Sequence, residues 1–165
     1  MKITTNFICC YFFRNEYKFL KLLIIKYIIN NNLYKEEFFM KENVKFYRCP
    51  ICGNIVGLID GDMGHVRCCG VEMEEMIANS VDASVEKHVP VYEKVEDELV
   101  VKVGEVEHPM EKDHYIMWIA QVSENRTTRV RLYPEQGTET RFPYIKGATL
   151  YAYCNKHGLW KTTIE

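Results

Sequence analysis

The sequence predicts a mainly β protein in two parts, a small cysteine-held module followed by a β-sandwich. Three observations carry that expectation: four cysteines gathered between positions 49 and 69, short alternating apolar runs through the last third, and an abrupt change of composition near position 40.

The composition break comes first along the chain. Residues 1–39 are crowded with Ile, Asn, Lys, Tyr, Phe and Leu, have no glycine or proline, and carry six basic against three acidic residues; the remainder carries fifteen basic against twenty acidic. Such a shift marks a boundary. The apolar run at 19–29 is interrupted by Lys21 and Lys26, too short and too charged for a bilayer span, which takes about 20 apolar residues. No small-residue cleavage site follows it, as a secretory signal requires. An amphipathic surface helix is the remaining membrane reading, and Asn30 to Asn32 spoil its face. The favoured reading places the natural start at Met40, because Lys35-Glu36-Glu37-Phe38-Phe39-Met40 can be encoded by a purine-rich ribosome-binding run just ahead of ATG. Residues 1–39 are then a non-native or disordered leader in which Cys9 and Cys10 have no role.

The module is expected over residues 40–79. Cys49-Pro50-Ile51-Cys52-Gly53 is followed by Cys68-Cys69-Gly70. Two residues between the first pair let one turn present both sulfurs to a tetrahedral metal, and a glycine after each pair lets the backbone fold back with amides toward the thiolates. Four sulfurs in that array mean zinc or iron. Vicinal cysteines rarely bridge each other and nothing in the chain points to an oxidising compartment, so metal outweighs disulfide. The adjacent pair should distort the tetrahedron. Only short strands are expected here, at 44–48 and 65–68, with few large apolar residues, so metal must supply much of the stability.

From 80 to 165 the chain reads as all-β, with alternating runs at 99–103, 115–122, 127–133 and 149–153 divided by Gly, Pro, Asn and Asp. Seven or so short strands imply a sandwich. Tyr115, Ile116, Trp118, Tyr151 and Trp160 read as core and sheet residues. Four histidines and one cysteine stand apart: His88 in Glu86-Lys87-His88-Val89-Pro90, His108 in Glu107-His108-Pro109-Met110, then His114, and finally Cys154-Asn155-Lys156-His157. Two lie beside prolines, which suggests rigid loops. Any one of these histidines alone reads as an ordinary surface or core residue; the set does not. A structural zinc site closes at four ligands, whereas four imidazoles and one thiolate leave one position of an octahedron open, as a reactive iron site requires.

Tyr47-Arg48-Cys49-Pro50-Ile51-Cys52-Gly53-Asn54 and Cys68-Cys69-Gly70, together with Glu86-Lys87-His88-Val89-Pro90, His108-Pro109-Met110, His114 and Cys154-Asn155-Lys156-His157-Gly158-Leu159-Trp160-Lys161, resemble desulfoferrodoxin, the two-iron superoxide reductase, over residues 44–165. The resemblance implies a desulforedoxin- or rubredoxin-like domain at 40–79, with a first iron on Cys49, Cys52, Cys68 and Cys69. It implies an immunoglobulin-like sandwich at 80–165, with a catalytic iron in a square of His88, His108, His114 and His157 and Cys154 on the perpendicular axis. The implied reaction is one-electron reduction of superoxide to hydrogen peroxide. Lys87 would attract the anion and organise a proton-donating water, and Glu86 would close the open face after oxidation; both are expected on an extended segment, pointing to opposite sides. A rubredoxin-like electron donor, a homodimer, a cytoplasmic location and a detoxifying role in an anaerobic or microaerophilic microbe are also implied. No nucleic-acid or membrane partner is expected. The rival readings are a non-catalytic zinc- or iron-binding module and a simple electron carrier. The binding module leaves the convergence on Cys154 unexplained and lacks the basic surplus of a nucleic-acid binder.

Overall fold

The computed structural model describes residues 44–58 and 66–165, all inside the compact unit Met40–Glu165. The expectations for 1–39, for a start at Met40 and for His65 in a strand lie outside the described residues.

The sandwich is made of seven strands: β6 (Pro90–Val95), β7 (Glu98–Val103), β8 (Ile116–Val122), β9 (Thr127–Arg131), β10 (Thr140–Pro143), β11 (Thr149–Cys154) and β12 (Gly158–Thr163). They form two antiparallel sheets, ordered β10-β7-β6 and β12-β11-β8-β9. Between the sheets, Leu99, Val101 and Val103 of β7 meet Ile116 and Ile119 of β8 and Leu150, Ala152 and Cys154 of β11. These residues alternate along β7 and β11 because every second side chain faces the same side.

The smaller module begins with β1 (Lys45–Arg48) and β2 (Ile55–Leu58), continues through the two-residue strands β3 (Arg67–Cys68), β4 (Val71–Glu72) and β5 (Glu74–Glu75), and pairs as β2-β1-β5 and β3-β4. β1 serves two cores. Phe46 packs with Trp118, Ala120, Val122, Tyr151, Tyr153 and Leu159 on the outer face of the four-stranded sheet, its ring 5.2 Å from both Trp118 and Tyr151. Its neighbour Tyr47 points the other way, into the cluster with Cys49 and Met73. Trp118 and Tyr151 are therefore buried as expected, but under the module rather than between the sheets. β11 is covered on both faces, which is why its TLYAYC shows no polar alternation.

Strands β2, β6, β10 and β12 are not apparent from alternation. β6 opens on a proline at the sheet edge and exposes its second half, where period-2 patterning is weak. β9 stops at Arg131, short of the expected 133, and Pro134 lies just beyond.

Candidate metal centres

The strand registers bring one set of chain ends together. Pro90, the first residue of β6, pairs with Val103, the last of β7. Cys154, the last of β11, pairs with Ile116 of β8 across a bulge and with Gly158 of β12. The segments carrying His88, His108, His114, Cys154 and His157 all leave or enter the sandwich at this end.

His88 does not sit in a loop. It closes the one-turn helix α1 (Val85–His88), in which the Val89 amide donates to the Val85 carbonyl, and Pro90 forbids continuation. Glu86 and Lys87 are consequently about 100° apart around a helical turn, not on opposite sides of an extended segment. Glu86 is exposed and Lys87 half-buried. Lys87 and His108 line the same open cleft of about 600 Å³, with Glu107 and Glu135 also on its walls.

The four imidazoles form a closed square. Ring centroids of His88–His108, His108–His114, His114–His157 and His157–His88 are 4.7, 4.8, 4.7 and 4.7 Å apart, with interplanar angles of 77°, 77°, 84° and 88°. The donor atoms of these histidines and of Cys154 all lie within 4.8 Å of one another. His88 Nε2 is 2.8 Å and His114 Nε2 3.2 Å from His157 Nδ1, bracketing the separation of about 3.0 Å between adjacent ligands with metal–nitrogen bonds near 2.1 Å. Cys154 Sγ lies 3.7 Å from the same nitrogen.

Hydrogen bonds on the far side of the rings fix which nitrogen is bare. His88 Nδ1 donates to the Ser84 carbonyl at 2.6 Å and His108 Nδ1 to the Pro109 carbonyl at 2.6 Å, leaving Nε2 of each as a lone pair. His108 Nε2 is buried without any hydrogen-bond partner. A cation at the point where these donors converge would satisfy that orphaned nitrogen together with the other donor atoms. Burial lowers the pKa of His88, His108 and His114, that of His108 to about 4, so the rings are neutral and ready to ligate. Burial raises the Cys154 thiol, opposed by the backbone amides of His157 and Lys156.

Trp160, read from sequence as core, is buried but also stacks on the His88 ring at 4.9 Å and 22° and donates from Nε1 to the His157 carbonyl at 2.9 Å. One side chain thus supports two of the four imidazoles. Asn155 ties the Cys154 loop to the His114 segment, accepting from the Tyr115 amide and donating to the Asp113 carbonyl. The spacing from His157 to Trp160 is visible in the sequence; the stacking on His88 is a tertiary contact and is not.

The second group is Cys49, Cys52, Cys68 and Cys69, whose sulfurs also lie within 4.8 Å of one another. Sγ–Sγ separations of 3.6 Å for Cys52–Cys68 and 3.9 Å for Cys68–Cys69 bracket the tetrahedral edge of about 3.8 Å for metal–sulfur bonds near 2.3 Å. The adjacent pair is accommodated by the backbone, where Cys69 takes φ +53° and Gly70 follows at +80°, and its sulfurs keep nearly the ideal edge rather than the distorted one expected. The Cys52 amide lowers the Cys49 thiol to about 7, whereas the Cys52 and Cys68 thiols push Cys69 up to about 12. Cys49 is buried while Cys52 and Cys69 face solvent.

Fold and site define a class: a β protein with a closed four-sulfur centre in a small module and a five-donor, open-faced centre on a sandwich. Residues 80–163 match the desulfoferrodoxin family and residues 41–76 match the desulfoferrodoxin N-terminal domain. The desulfoferrodoxins of Syntrophotalea carbinolica and Desulfarculus baarsii are each 45% identical over 124 residues, covering 74% of this chain and 98% of theirs. The crystal structure of the superoxide reductase from Treponema pallidum matches with a TM-score of 0.60 at 28% identity, over 73% of this chain and 99% of that one. The chain belongs to the desulfoferrodoxin family.

Proposed function

We propose that this protein is a superoxide reductase with two iron centres, one on Cys49, Cys52, Cys68 and Cys69 and one on His88, His108, His114, His157 and Cys154. The observation that carries this reading is the closed square of four imidazoles with the Cys154 sulfur beside it, five donors where an octahedral metal takes six, which would leave room for a small ligand. An iron held by these residues would, in its ferrous state, supply the one electron that together with two protons from solvent converts superoxide to hydrogen peroxide.

The chain's own residues do the rest. Lys87 draws in the anion from the cleft it shares with His108, which matters in a protein whose formal net charge is −2. Its half-buried ammonium also orients the water that delivers a proton. Glu86, exposed on the same helical turn, would offer a carboxylate to the open position of a bound iron. Ser84 and Pro109, through their carbonyls, hold His88 and His108 in the ligating tautomer. The four-sulfur centre has no open position; its exposed Cys52 and Cys69 edge suits electron entry from a rubredoxin-like donor. The family reading adds a homodimer. No helix among the described residues is long and apolar enough to cross a membrane, and the five described cysteines, all unbridged, suit a reducing, cytoplasmic setting.

Metal analysis and an optical spectrum of purified protein, followed by pulse radiolysis of the ferrous form, test this. Iron with thiolate charge-transfer bands and a fast reaction with superoxide are expected; zinc alone, without reaction, means a non-catalytic binding module. Lys87→Ala should slow the bimolecular step and flatten its salt dependence. An unchanged rate and salt slope would return Lys87 to the solvated surface charges.

A further inference from the structure

One turn of the chain between β7 and β8 grips α1 from both ends. The Gly104 amide donates to the Val89 carbonyl at 3.0 Å, and the Val106 amide donates to the Glu86 carbonyl at 3.0 Å. Lys87 and His88 are the two residues enclosed between those bonds. Gly104 is buried and lies at φ +82°, and a Cβ built on it would fall 2.5 Å from the Val106 carbonyl oxygen and 2.7 and 2.8 Å from the carbonyl oxygen and carbon of Lys87. All three obstacles are backbone, which cannot swing aside as a side chain can. Gly53, Gly70 and Gly158, also left-handed, lack this feature: Gly70 has nothing within 4 Å of such an atom, Gly53 meets only the flexible end of Arg48 at 3.6 Å, and Gly158 only a Val81 methyl at 3.5 Å.

The contact is directed at the residue proposed to meet the substrate. Lys87 stands on the cleft wall beside His108, so where its ammonium points follows from where the α1 backbone is held. A turn that could not close on the Lys87 carbonyl would lengthen both flanking hydrogen bonds and let the helical turn ride outward, carrying Lys87 with it.

We propose that Gly104 is a positioning residue for Lys87: its missing side chain lets the 104–106 turn clamp the backbone on either side of Lys87 and His88, and so holds the ammonium at the cleft. This inference rests on the proposed role of Lys87, and a double-mutant cycle separates the two. The rate of ferrous protein with superoxide is measured across ionic strength for wild type, Lys87→Ala, Gly104→Ala and the double variant. Gly104→Ala is expected to slow the reaction on the order of tenfold and flatten its salt slope, with iron content retained, and to add nothing once Lys87 is alanine. Equal slowing by Gly104→Ala in both backgrounds overturns the positioning role while leaving that of Lys87 intact; no effect of Lys87→Ala removes the role itself, and the inference with it. Gly104→Asn tolerates a positive φ but carries the same Cβ, so it should behave as Gly104→Ala, and wild-type behaviour in it overturns the clamp. A readout independent of activity uses the wild-type chain loaded with zinc. Amide hydrogen exchange at Gly104 and Val106 should be slow, and fast exchange at both overturns the clamp even if the variants fail to fold.

Discussion

The two centres are held by different parts of the protein's physics. Cys49, Cys52, Cys68 and Cys69 are presented by tight turns and two-residue strands, with two of the four thiols facing solvent. His88, His108 and Cys154 are buried at the end of a seven-strand sandwich, with their outer nitrogens and flanking amides already committed to hydrogen bonds. The first site must be assembled by its metal, because so small a module has few apolar contacts with which to fix four thiols against their mutual repulsion. The second is preorganised by a core that would fold anyway, so its metal inherits a geometry it did not impose.

The largest effect that could break this comparison comes from exchanging one sulfur at each centre. Cys154→Ser should abolish superoxide reduction, a loss exceeding the roughly 10–100-fold typical of outer-shell changes, while the four-sulfur centre keeps its metal. Cys52→Ser should do the reverse, emptying the module and leaving chemically reduced protein able to react with superoxide once. Wild-type turnover in Cys154→Ser with iron still bound would show that Cys154 is misassigned as a ligand.

Acid should separate the centres next. Without metal, His88, His108 and His114 titrate below their ordinary range because burial disfavours the charged ring, His108 near 4. The unfolded chain then binds more protons than the folded one between about pH 6.5 and about 4, so stability rises with pH through that window and is lost as pH falls. The metal-free sandwich should accordingly show a falling thermal midpoint on acidification, most of it below pH ~6.5. In the module Cys69 is pushed up to about 12 and Cys68 is raised, although Cys49 is lowered to about 7, so metal uptake must release the protons of Cys68 and Cys69. Zinc affinity, measured against a competing chelator between about pH 6 and 8, should fall more steeply with acid at the four-sulfur centre than at the imidazole centre. Parallel slopes would mean that the histidines are not held neutral.

What could be read from the sequence follows the same division. The residues that the structure groups at both centres were legible, because Cys-x-x-Cys spacing and four histidines with a cysteine that have no other evident role are local chemistry. The two-sheet sandwich was legible from β7 and β9, whose alternation reports a buried face, and from the apolar runs of β8 and β11, which are buried on both sides. The edge strand β6 and the hairpin return β12 were not, since one is half exposed and the other begins with glycine and carries Lys161 and two threonines. The helical turn at His88 was hidden by the proline two residues on, which signals an end without saying of what. Trp160 looked like core because burial is the commonest fate of tryptophan, and its contact with His88 comes from a strand far away in the chain.

That contact sharpens the idea of a preorganised site. Trp160→Leu should remove both the stacking on His88 and the hydrogen bond to the His157 carbonyl, lowering metal affinity at the imidazole centre by roughly 10–100-fold and leaving the four-sulfur centre untouched. Trp160→Phe keeps an aromatic face but loses the N–H, and should fall between that variant and wild type. The ferric optical spectrum reports on ring orientation separately from stability, so a shift that Phe partly restores is the signature of a supporting role. Equal loss of metal at both centres in Trp160→Leu would indicate general destabilisation instead.

The smallest effect is expected from the segment that precedes both centres. Every proposed ligand and both family matches lie after Met40, the matches beginning at residue 41, and we propose that a chain starting at Met40 is the functional form. Such a chain should fold, bind both metals and reduce superoxide at the full-length rate per bound iron, with an unchanged thermal midpoint. Loss of metal from the His88, His108, His114, His157 and Cys154 site on truncation would make residues 1–39 part of the fold and refute the proposed start. Loss from the four-sulfur centre alone would place their contribution in the module, where stability has least reserve. A change confined to membrane association in cells would leave both centres unaffected and return the run at 19–29 to an amphipathic surface helix.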